Sequence, residues 1–206
     1  DNRNSTTGPW MSYWDCTDGY SLGVSGGKSY LNVADNILPS AQTTDEITIE
    51  YVGQGSSAGI SYPFDASGGD GVGLKVRPYA GPPTNNSVFE WGVSGFGSVL
   101  SNIGVNLQAN RHHWIGTANT VTDISSMYFC DSTDVAGNGW GNIGNGDTSA
   151  AMVLIGTNLK LGTNTTNDSS GARWPGWFSM FRIYDQVITA TQAEIMWEHQ
   201  KYSVLS

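Results

Sequence analysis

Residues 174–202, WPGWFSMFRIYDQVITATQAEIMWEHQKY, contain the strongest strand pattern and the strongest helix pattern of this chain. Successive side chains of a strand point to opposite faces, so the segment between Gly176 and Tyr184 can be divided into two sets. One set is Trp177, Ser179, Phe181 and Ile183, and the other is Phe178, Met180, Arg182 and Tyr184. Neither set is polar throughout, so we expect this strand to be covered on both sides.

The segment after this strand carries the signals of a helix start. Asp185 and Gln186 are turn residues, Thr189 is placed to cap a helix, and Gln192 stands three positions later. This Thr-x-x-Gln pattern is a capping box, in which each side chain bonds the backbone N–H of the other residue. Apolar and long side chains then follow at helical spacing, at Ala193, Met196, Trp197 and Gln200. The sequence predicts one docked helix over residues 189–202.

Shorter strand patterns occupy most of the remaining chain. They cover residues 29–33, 46–52, 59–64, 72–77, 88–93, 113–118, 127–131, 152–155 and 159–161. The clearest breaks between them are Gly-, Ser- and Asn-rich, at residues 53–55, 67–71, 81–86 and 137–146. Many short strands without interspersed helices predict an all-β fold, an antiparallel sandwich of two sheets with one short C-terminal helix.

Five sequence segments resemble those of a known family. The Arg-Ile-Tyr strand with its turn, Thr cap and helix resembles the closing signature of laminin G-like domains, within the concanavalin A-like jelly-roll superfamily. Upstream, residues 113–115 and 126–131 resemble the paired strands of that family, with Ser132 where a Gly is usual. Residues 45–52 resemble its early strand, and residues 159–162 its later Leu-x-Ile-Gly strand. The resemblance implies a jelly roll of the kind found in phage surface proteins.

Length, composition and charge limit the classes of function. A chain of 206 residues suits one sandwich-sized domain, so we expect a single domain over residues 1–206, with an N-terminal segment at 1–28. The net charge of −9, with nine Lys and Arg residues in total, opposes binding to a phosphate backbone. No apolar stretch approaches the length of a membrane span. We therefore expect neither nucleic acid binding nor membrane insertion.

The termini and the cysteines leave alternatives open. The sequence begins at Asp1 rather than at Met, which we interpret as a processed, excised or incomplete start. Cys16 and Cys130 are too few for a disulfide scaffold, and their separation does not predict pairing. Cys130 lies in a strand pattern and is most simply a small buried residue, although a bridge to Cys16 stays open.

Two glycine-rich matches to catalytic or cofactor motifs lack the required context. Residues 55–59 (GSSAG) fit the nucleophile elbow of hydrolases, which needs a helix after the Ser, but a strand pattern follows. Residues 139–144 (GWGNIG) fit a dinucleotide-binding pattern, but no helix follows there either. We interpret the first segment as a hairpin and the second as a long exposed loop.

Carboxylate spacing argues against glycoside hydrolysis. Sandwich glycosidases of this superfamily carry Glu-x-Asp-x-x-Glu on one strand, which presents two carboxylates about 5 Å apart to the substrate. That motif is absent, and no Glu-x-Glu or Glu-x-Asp pair occurs. The glutamates are Glu46, Glu50, Glu90, Glu194 and Glu198. We therefore predict that the domain is not an enzyme.

Trp residues in loops are the candidates for a carbohydrate contact. An exposed indole offers a flat apolar face to a sugar ring, but most Trp residues of a sandwich belong to its core. We expect core positions for Trp91, Trp114, Trp177 and Trp197. Trp140 and Trp174 lie in Gly- or Pro-rich segments, and Asn138 and Asn142 flank the first of them. These four are the predicted contact residues, with packing of the loop on its own domain as the alternative.

Metal binding is predicted only in the form of calcium, and no other cofactor is predicted. His112 and His113 are adjacent, so on a strand they face opposite sides and cannot share one metal. Four aspartates lie in predicted loops that could supply oxygen ligands, namely Asp65, Asp70, Asp131 and Asp134. Laminin G-like domains often hold a calcium at a loop rim, but the spacing here matches no recognised site. Solvated turn aspartates are the favoured interpretation.

Two functional hypotheses follow. The first is a non-catalytic structural or adhesive module on a virion, as a capsid decoration or tail fibre, or on another extracellular assembly. Its partners would be proteins of the particle or further copies of the chain. The second is a carbohydrate-binding module or lectin, with or without the assistance of calcium, whose partner is a surface glycan. The two overlap, since an adhesin can bind glycan while built into a particle.

Overall fold

A computed structural model describes the strands and the helix that determine the fold. The described residues are 11–16, 19–24, 31–32, 42–55, 61–65, 72–78, 87–93, 99–100, 111–119, 121–131, 141–146, 152–154, 160–162, 176–184 and 186–205. The strands are β1 (Met11–Cys16), β2 (Gly19–Val24), β3 (Leu31–Asn32), β4 (Gln42–Thr44), β5 (Glu46–Gly55), β6 (Ser61–Asp65), β7 (Val72–Pro78), β8 (Ser87–Val93), β9 (Val99–Leu100), β10 (His112–Asn119), β11 (Ile124–Asp131), β12 (Gly141–Gly146), β13 (Met152–Leu154), β14 (Lys160–Leu161) and β15 (Gly176–Tyr184). The helix is α1 (Ala190–Leu205).

The strands form two large antiparallel sheets, as predicted. The seven-stranded sheet has the order β1-β2-β15-β5-β10-β11-β12, and the six-stranded sheet has the order β3-β14-β6-β7-β8-β9. Strands β13 and β4 form a small separate pair. Five of the eleven strand pairings in these two sheets join strands that are not consecutive in the chain, so the chain crosses between the sheets. The all-β sandwich prediction is confirmed.

Aromatic side chains fill the space between the two sheets. From the six-stranded sheet, Phe64 and Trp91 contact the ring of Trp114 on β10, with centroid distances of 5.8 and 5.4 Å. Tyr51 of β5 stacks on the same indole at 5.7 Å. Each such ring pair adds about 0.5–1.5 kcal/mol to the gain from burial. Trp91 and Trp114 are fully buried, which confirms their predicted core positions.

Gly116 makes room for this aromatic packing. A Cβ atom at position 116 would overlap Cη2 of Trp114 and would lie 3.0 Å from Cδ2 of Trp91. Real Cβ contacts essentially never fall below 3.0 Å, so any side chain here would displace the Trp114 ring. The glycine is therefore a packing requirement of the core.

Strand β15 departs from strict alternation. The register to β5 shifts between Phe178 and Met180, so one extra residue, Ser179, is accommodated as a bulge. Phe178 packs on Tyr51 and Phe181 packs on Phe64, so both rings lie on the inner face. The sequence prediction placed them on opposite faces and was wrong, because a bulge reverses the alternation beyond it. Both faces carry packed side chains, as predicted.

Helix α1 covers the outer face of the seven-stranded sheet. The predicted capping box forms: Gln192 N–H donates to Thr189 Oγ1 at 3.3 Å, and Thr189 N–H donates to Gln192 Oε1 at 2.7 Å. The helix ends at Leu205, three residues beyond the predicted end. Two apolar clusters join it to the sheet. They are Val52, Cys130 and Trp197 with Met180, and Ile115, Tyr128, Ile188 and Ala193 with Met196.

The linker before α1 is tied to β5. The Thr48 hydroxyl donates to the carbonyl of Gln186 at 2.7 Å and accepts from the N–H of Ile188 at 3.2 Å. Val187 N–H donates to Oε2 of Glu46 at 3.4 Å. These bonds fix where the helix begins, and the apolar clusters then fix its direction along the sheet.

Five strands, β1, β2, β4, β9 and β12, lie outside the segments predicted as strands. Strands β1 and β2 fall in the predicted N-terminal segment, and β2 pairs with β15. Strand β12 falls in residues 137–146, predicted as a break, and pairs with β11. Its sequence, GNIGNG, lacks the β-branched and aromatic residues that mark strands, but ladder hydrogen bonds need only the backbone. That part of the loop prediction was wrong.

The sheet order also separates the two cysteines. Cys16 ends β1 and Cys130 lies in β11, with β2, β15, β5 and β10 between them. At the usual strand spacing this is about 24 Å, far beyond the Cα separation of about 7 Å that a disulfide allows. A bridge between the two is therefore incompatible with this strand order. Cys130 is buried, as expected.

Among the described residues, no helix combines the length and apolar character required to cross a membrane.

Candidate functional site

Most residues predicted to contact sugar lie outside the described part of the chain. These are Asn138, Trp140 and Trp174. Asn142 belongs to β12, at the edge of the seven-stranded sheet, where its backbone is opposite Tyr128 of β11. Its side chain is outside the described set. Sugar contact at these four residues stays a prediction.

The four aspartates predicted as calcium ligands are not brought together by the described structure. Asp70 and Asp134 lie outside it. Asp65 ends β6 and is only 3% exposed, opposite Lys160 and Gly73, so its predicted place in a loop was wrong. Asp131 ends β11, in the other sheet. Among the described residues, no group of three or more His, Cys, Asp or Glu side chains is placed to hold a metal ion.

The adjacent histidines of β10 serve opposite faces of the seven-stranded sheet. His112 points inward, where its ring lies 5.4 Å from Phe129 and 6.0 Å from Phe89. His113 points outward beneath α1, where its ring stacks on Trp197 at 6.1 Å. Both side chains are fully buried. The prediction that they cannot share a ligand is confirmed by this geometry.

The outward histidine belongs to a network centred on Glu50. Nε2 of His113 lies 2.9 Å from Oε1 of Glu50, and the Tyr184 hydroxyl donates to Oε2 at 2.6 Å. Arg182 brings Nη1 to 3.6 Å from the same Oε2. Glu50 is fully buried, whereas the Arg182 side chain is 52% exposed. The network therefore extends from the buried sheet face to solvent along β15.

The pKa directions follow from burial and from these contacts. Burial opposes ionisation of Glu50, but the bonds from His113 and Tyr184 and the charge of Arg182 outweigh it, so the pKa falls below its usual value. Burial lowers the pKa of His113, the opposing effect of Glu50 being smaller. Burial, aided by the bond to Glu50, raises the pKa of Tyr184. At neutral pH the network thus contains a carboxylate and a neutral imidazole.

The inward histidine forms a simpler pair within the aromatic core. The Tyr51 hydroxyl lies 2.6 Å from Nε2 of His112, and their rings meet edge to face at 5.2 Å. Burial raises the pKa of Tyr51 well above its usual value, so the phenol stays protonated. The pair satisfies two polar groups that would otherwise be costly to bury. It links β5 to β10 on the inner face.

The two carboxylates of β5 form contacts with side chains and backbone groups of neighbouring elements. Glu50 is enclosed by His113, Tyr184 and Arg182. Glu46 accepts from the Asn119 amide at 2.8 Å and from Val187 N–H at 3.4 Å. Both therefore connect β5 to neighbouring elements, the first to the helix-bearing face and the second to the linker before α1.

Sequence reasoning did not identify the Glu50 network. Its signal was a Glu in the middle of the strongly apolar β5, where every residue from Ile47 to Gly53 is buried. A buried carboxylate needs partners, and this rule could have pointed to a polar cluster around Glu50. The partners could not be named, because β10 and β15 are paired with β5 only by the fold.

Comparison with known proteins gives the fold and no family. No protein-family model matches the sequence, and no curated protein matches it at a significant level. Solved structures do match. Domain 4 of AbnA, an extracellular arabinanase from Geobacillus stearothermophilus, in complex with arabinotriose, superposes with a TM-score of 0.61 at 14% identity. The match covers 92% of this chain and 82% of that one.

Two further structures extend the comparison. The CBM40 domain of the Ruminococcus gnavus sialidase bound to sialyllactose gives a TM-score of 0.55 at 10% identity, over 85% of this chain and 95% of that one. The heptameric pentraxin from Limulus polyphemus gives 0.53 at 10% identity, over 79% and 78%. These similarities show a jelly-roll β-sandwich.

Proposed function

We propose that this chain is a non-catalytic carbohydrate-binding domain. The observation that carries the proposal is the match, over most of both chains, to two domains whose structures contain bound sugar, arabinotriose in one and sialyllactose in the other. A fold shared at this level of identity supports a class of ligand and does not identify the sugar. Of the two hypotheses from the sequence, carbohydrate binding therefore comes first.

The contact residues we propose are Trp140 and Trp174, assisted by Asn138 and Asn142. A Trp indole contributes a large apolar face at small entropic cost, and Asn contributes both a donor and an acceptor for sugar hydroxyls. The position of β12 at a sheet edge is compatible with access to Asn142. Calcium assistance through Asp70, Asp131 or Asp134 is a separate part of the proposal, tested with chelator.

The described carboxylates of β5 are engaged in structural contacts, which supports binding without hydrolysis. Glu46 and Glu50 are engaged in holding the linker and the outer face of the sheet. Retaining hydrolysis would require two carboxyl groups about 5 Å apart facing a groove, and inverting hydrolysis a somewhat wider pair. The sequence offers no such pair on a single strand.

The test is a glycan array followed by titration calorimetry, with arabino-oligosaccharides and sialylated oligosaccharides included and with and without chelator. Trp140→Ala and Trp174→Ala should each weaken binding about tenfold or more, which corresponds to about 1.4 kcal/mol. Ile195→Ala, on the exposed side of α1, is the matched control and should bind like the wild type. Silence across a broad array, or equal binding by all three variants, would contradict the proposal.

The virion or extracellular-assembly role stays a prediction from the sequence, as does a location on a virion surface or outside the cell. It requires protein partners or self-association, and one similar structure is a heptamer. Light scattering of the purified chain over a concentration series would test self-association. A strictly monomeric protein would weigh against this second role and leave sugar binding unaffected.

A further inference from the structure

The contact between α1 and the seven-stranded sheet encloses an ionisable side chain. His113 lies on β10 with Glu50 beside it and the indole of Trp197 stacked over its ring. The surrounding contact is apolar, formed by Val52, Cys130 and Met180. A helix resting on a titratable group can be displaced when that group takes up a charge, because a buried charge is costly.

We propose that the docking of α1 is acid-sensitive, and that proton uptake by His113 loosens the helix from the sheet. The proposal concerns a conformational property of the domain and is independent of sugar binding. It rests on the position of the His113 side chain, which projects from β10 towards α1 and is fully buried there. Water reaches the imidazole only after the helix lifts.

In the part of the chain that the structure describes, four titratable side chains of the sheet lie near His113. On β5 the group is Glu50, on β15 they are Arg182 and Tyr184, and on β11 Cys130 lies directly opposite in register. Helix α1 contributes the neutral indole of Trp197, and its titratable residues between positions 190 and 200, Glu194, Glu198 and His199, are exposed. The side chains of Lys201 and Tyr202 are outside the described set. A proton on His113 therefore adds a second positive charge beside one carboxylate that already interacts with Arg182.

The sign of the effect follows from the two states of the helix. With α1 docked, burial holds the pKa of His113 below its usual value of 6.5. With α1 lifted, water reaches the ring, Glu50 stays beside it, and the pKa returns to its usual range or above. At pH values well above the pKa of the lifted state the imidazole is neutral in both states. As the pH falls from there towards the lowered pKa, the lifted state binds more protons and docking weakens.

The pKa of Glu50 separates its contribution from that of His113. It lies below the usual value of 4.5, so protonation of this carboxylate weakens the docked state only at still lower pH. The interval between about pH 5 and 6.5 therefore reports His113 rather than the carboxylates.

Hydrogen exchange of backbone amides, from pH 7.5 to 5, is the direct experiment. Rates are corrected for the intrinsic effect of pH, so that the protection factor reports opening alone. Protection of α1 amides should fall about tenfold for each pKa unit by which docking lowers the pKa of His113. An undocked helix of this length is only marginally stable alone, so amides of α1 exchange once the helix lifts. Amides of β5 and β10 should keep their protection, because the sandwich remains folded.

Two variants make the test specific. His113→Gln keeps a donor for Glu50 but cannot titrate, so protection of α1 should become independent of pH. His199→Gln removes an exposed histidine of the same helix and should keep the wild-type dependence. If His113→Gln fails to fold, an NMR titration of the His113 ring in the wild type replaces it, and its midpoint should lie below 6.5 and coincide with the loss of protection.

Three results would overturn the proposal. They are protection of α1 that does not change with pH in the wild type, a His113 midpoint at or above 6.5, and simultaneous loss of protection in α1 and in the strands. The last would mean that acid unfolds the whole domain and that the helix does not act separately.

Discussion

The two faces of β10 bury consecutive histidines in different ways. Inside the sandwich, His112 is hydrogen-bonded to Tyr51 and surrounded by aromatic rings. Outside, under α1, His113 is bonded to a carboxylate that also meets Tyr184 and an exposed Arg182. The inner face therefore gains stability from packing, whereas the outer face depends partly on charge. The comparison predicts that the two faces respond differently to mutation and to pH.

Truncation of the central indole should have the largest effect. Trp114→Ala removes the ring that contacts Tyr51, Phe64 and Trp91, and should lower the free energy of unfolding by about 3–5 kcal/mol. Urea denaturation measures the change, with exposed Ile195→Ala as a control expected to stay within about 0.5 kcal/mol of the wild type. A loss equal to that of the control would show that the two sheets do not pack through this ring.

Removal of the charge at Glu50 should have an intermediate effect that depends on pH. Glu50→Gln weakens the bonds to His113 and Tyr184 and leaves Arg182 without its carboxylate, at a cost of about 1.5–3 kcal/mol at pH 7. The folded pKa of Glu50 is lowered, so its contribution is present above about pH 4.5 and is lost as the pH falls through the lowered value. The gap between variant and wild type should therefore close in acid.

Glu194→Gln, on the exposed side of α1, is the matched control for that substitution and should be nearly neutral at every pH. Urea midpoints at pH 7 and pH 3.5 suffice for the comparison. A difference in stability that stays constant with pH would mean that the charge of Glu50 does not contribute and that only the shape of its side chain matters.

Loss of the helix cap should have the smallest effect of the three. Thr189→Ala removes the hydroxyl that accepts from the N–H of Gln192 and should cost about 1 kcal/mol. Thr191→Ala lies two residues later in the helix, is equally exposed, and should cost nothing measurable. Thermal unfolding followed by circular dichroism compares them. Equal melting temperatures would imply that the apolar contacts of α1 alone set its start.

The sequence predicts those features that depend on local patterns. The Thr189–Gln192 cap needs only four consecutive residues, and the strands β5 and β10 are evident from their local sequences. The bulge at Ser179 could not be predicted, because it follows from register against β5. Strand β12 could not be predicted either, because its glycines carry no strand signal and it pairs through the backbone of β11.

The candidate site was less accessible to sequence reasoning than the fold. The opposite orientation of His112 and His113 follows from strand geometry and is confirmed. Their partners were not predicted, since Tyr51 and Glu50 lie some sixty residues away and meet them only through sheet pairing. The loop placement of Asp65 was wrong because the strand continues through it to pair with β14 and β7.

The packing around Gly116 couples the substitutions that positions 91, 114 and 116 can accept. Because even a methyl group there would collide with Trp114 and press on Trp91, an Ala at position 116 can be inherited only together with a smaller ring nearby. Descendants of this sequence should therefore change positions 91, 114 and 116 in concert or retain all three. A set of diverged relatives would record that dependence as covariation between a glycine and two indoles.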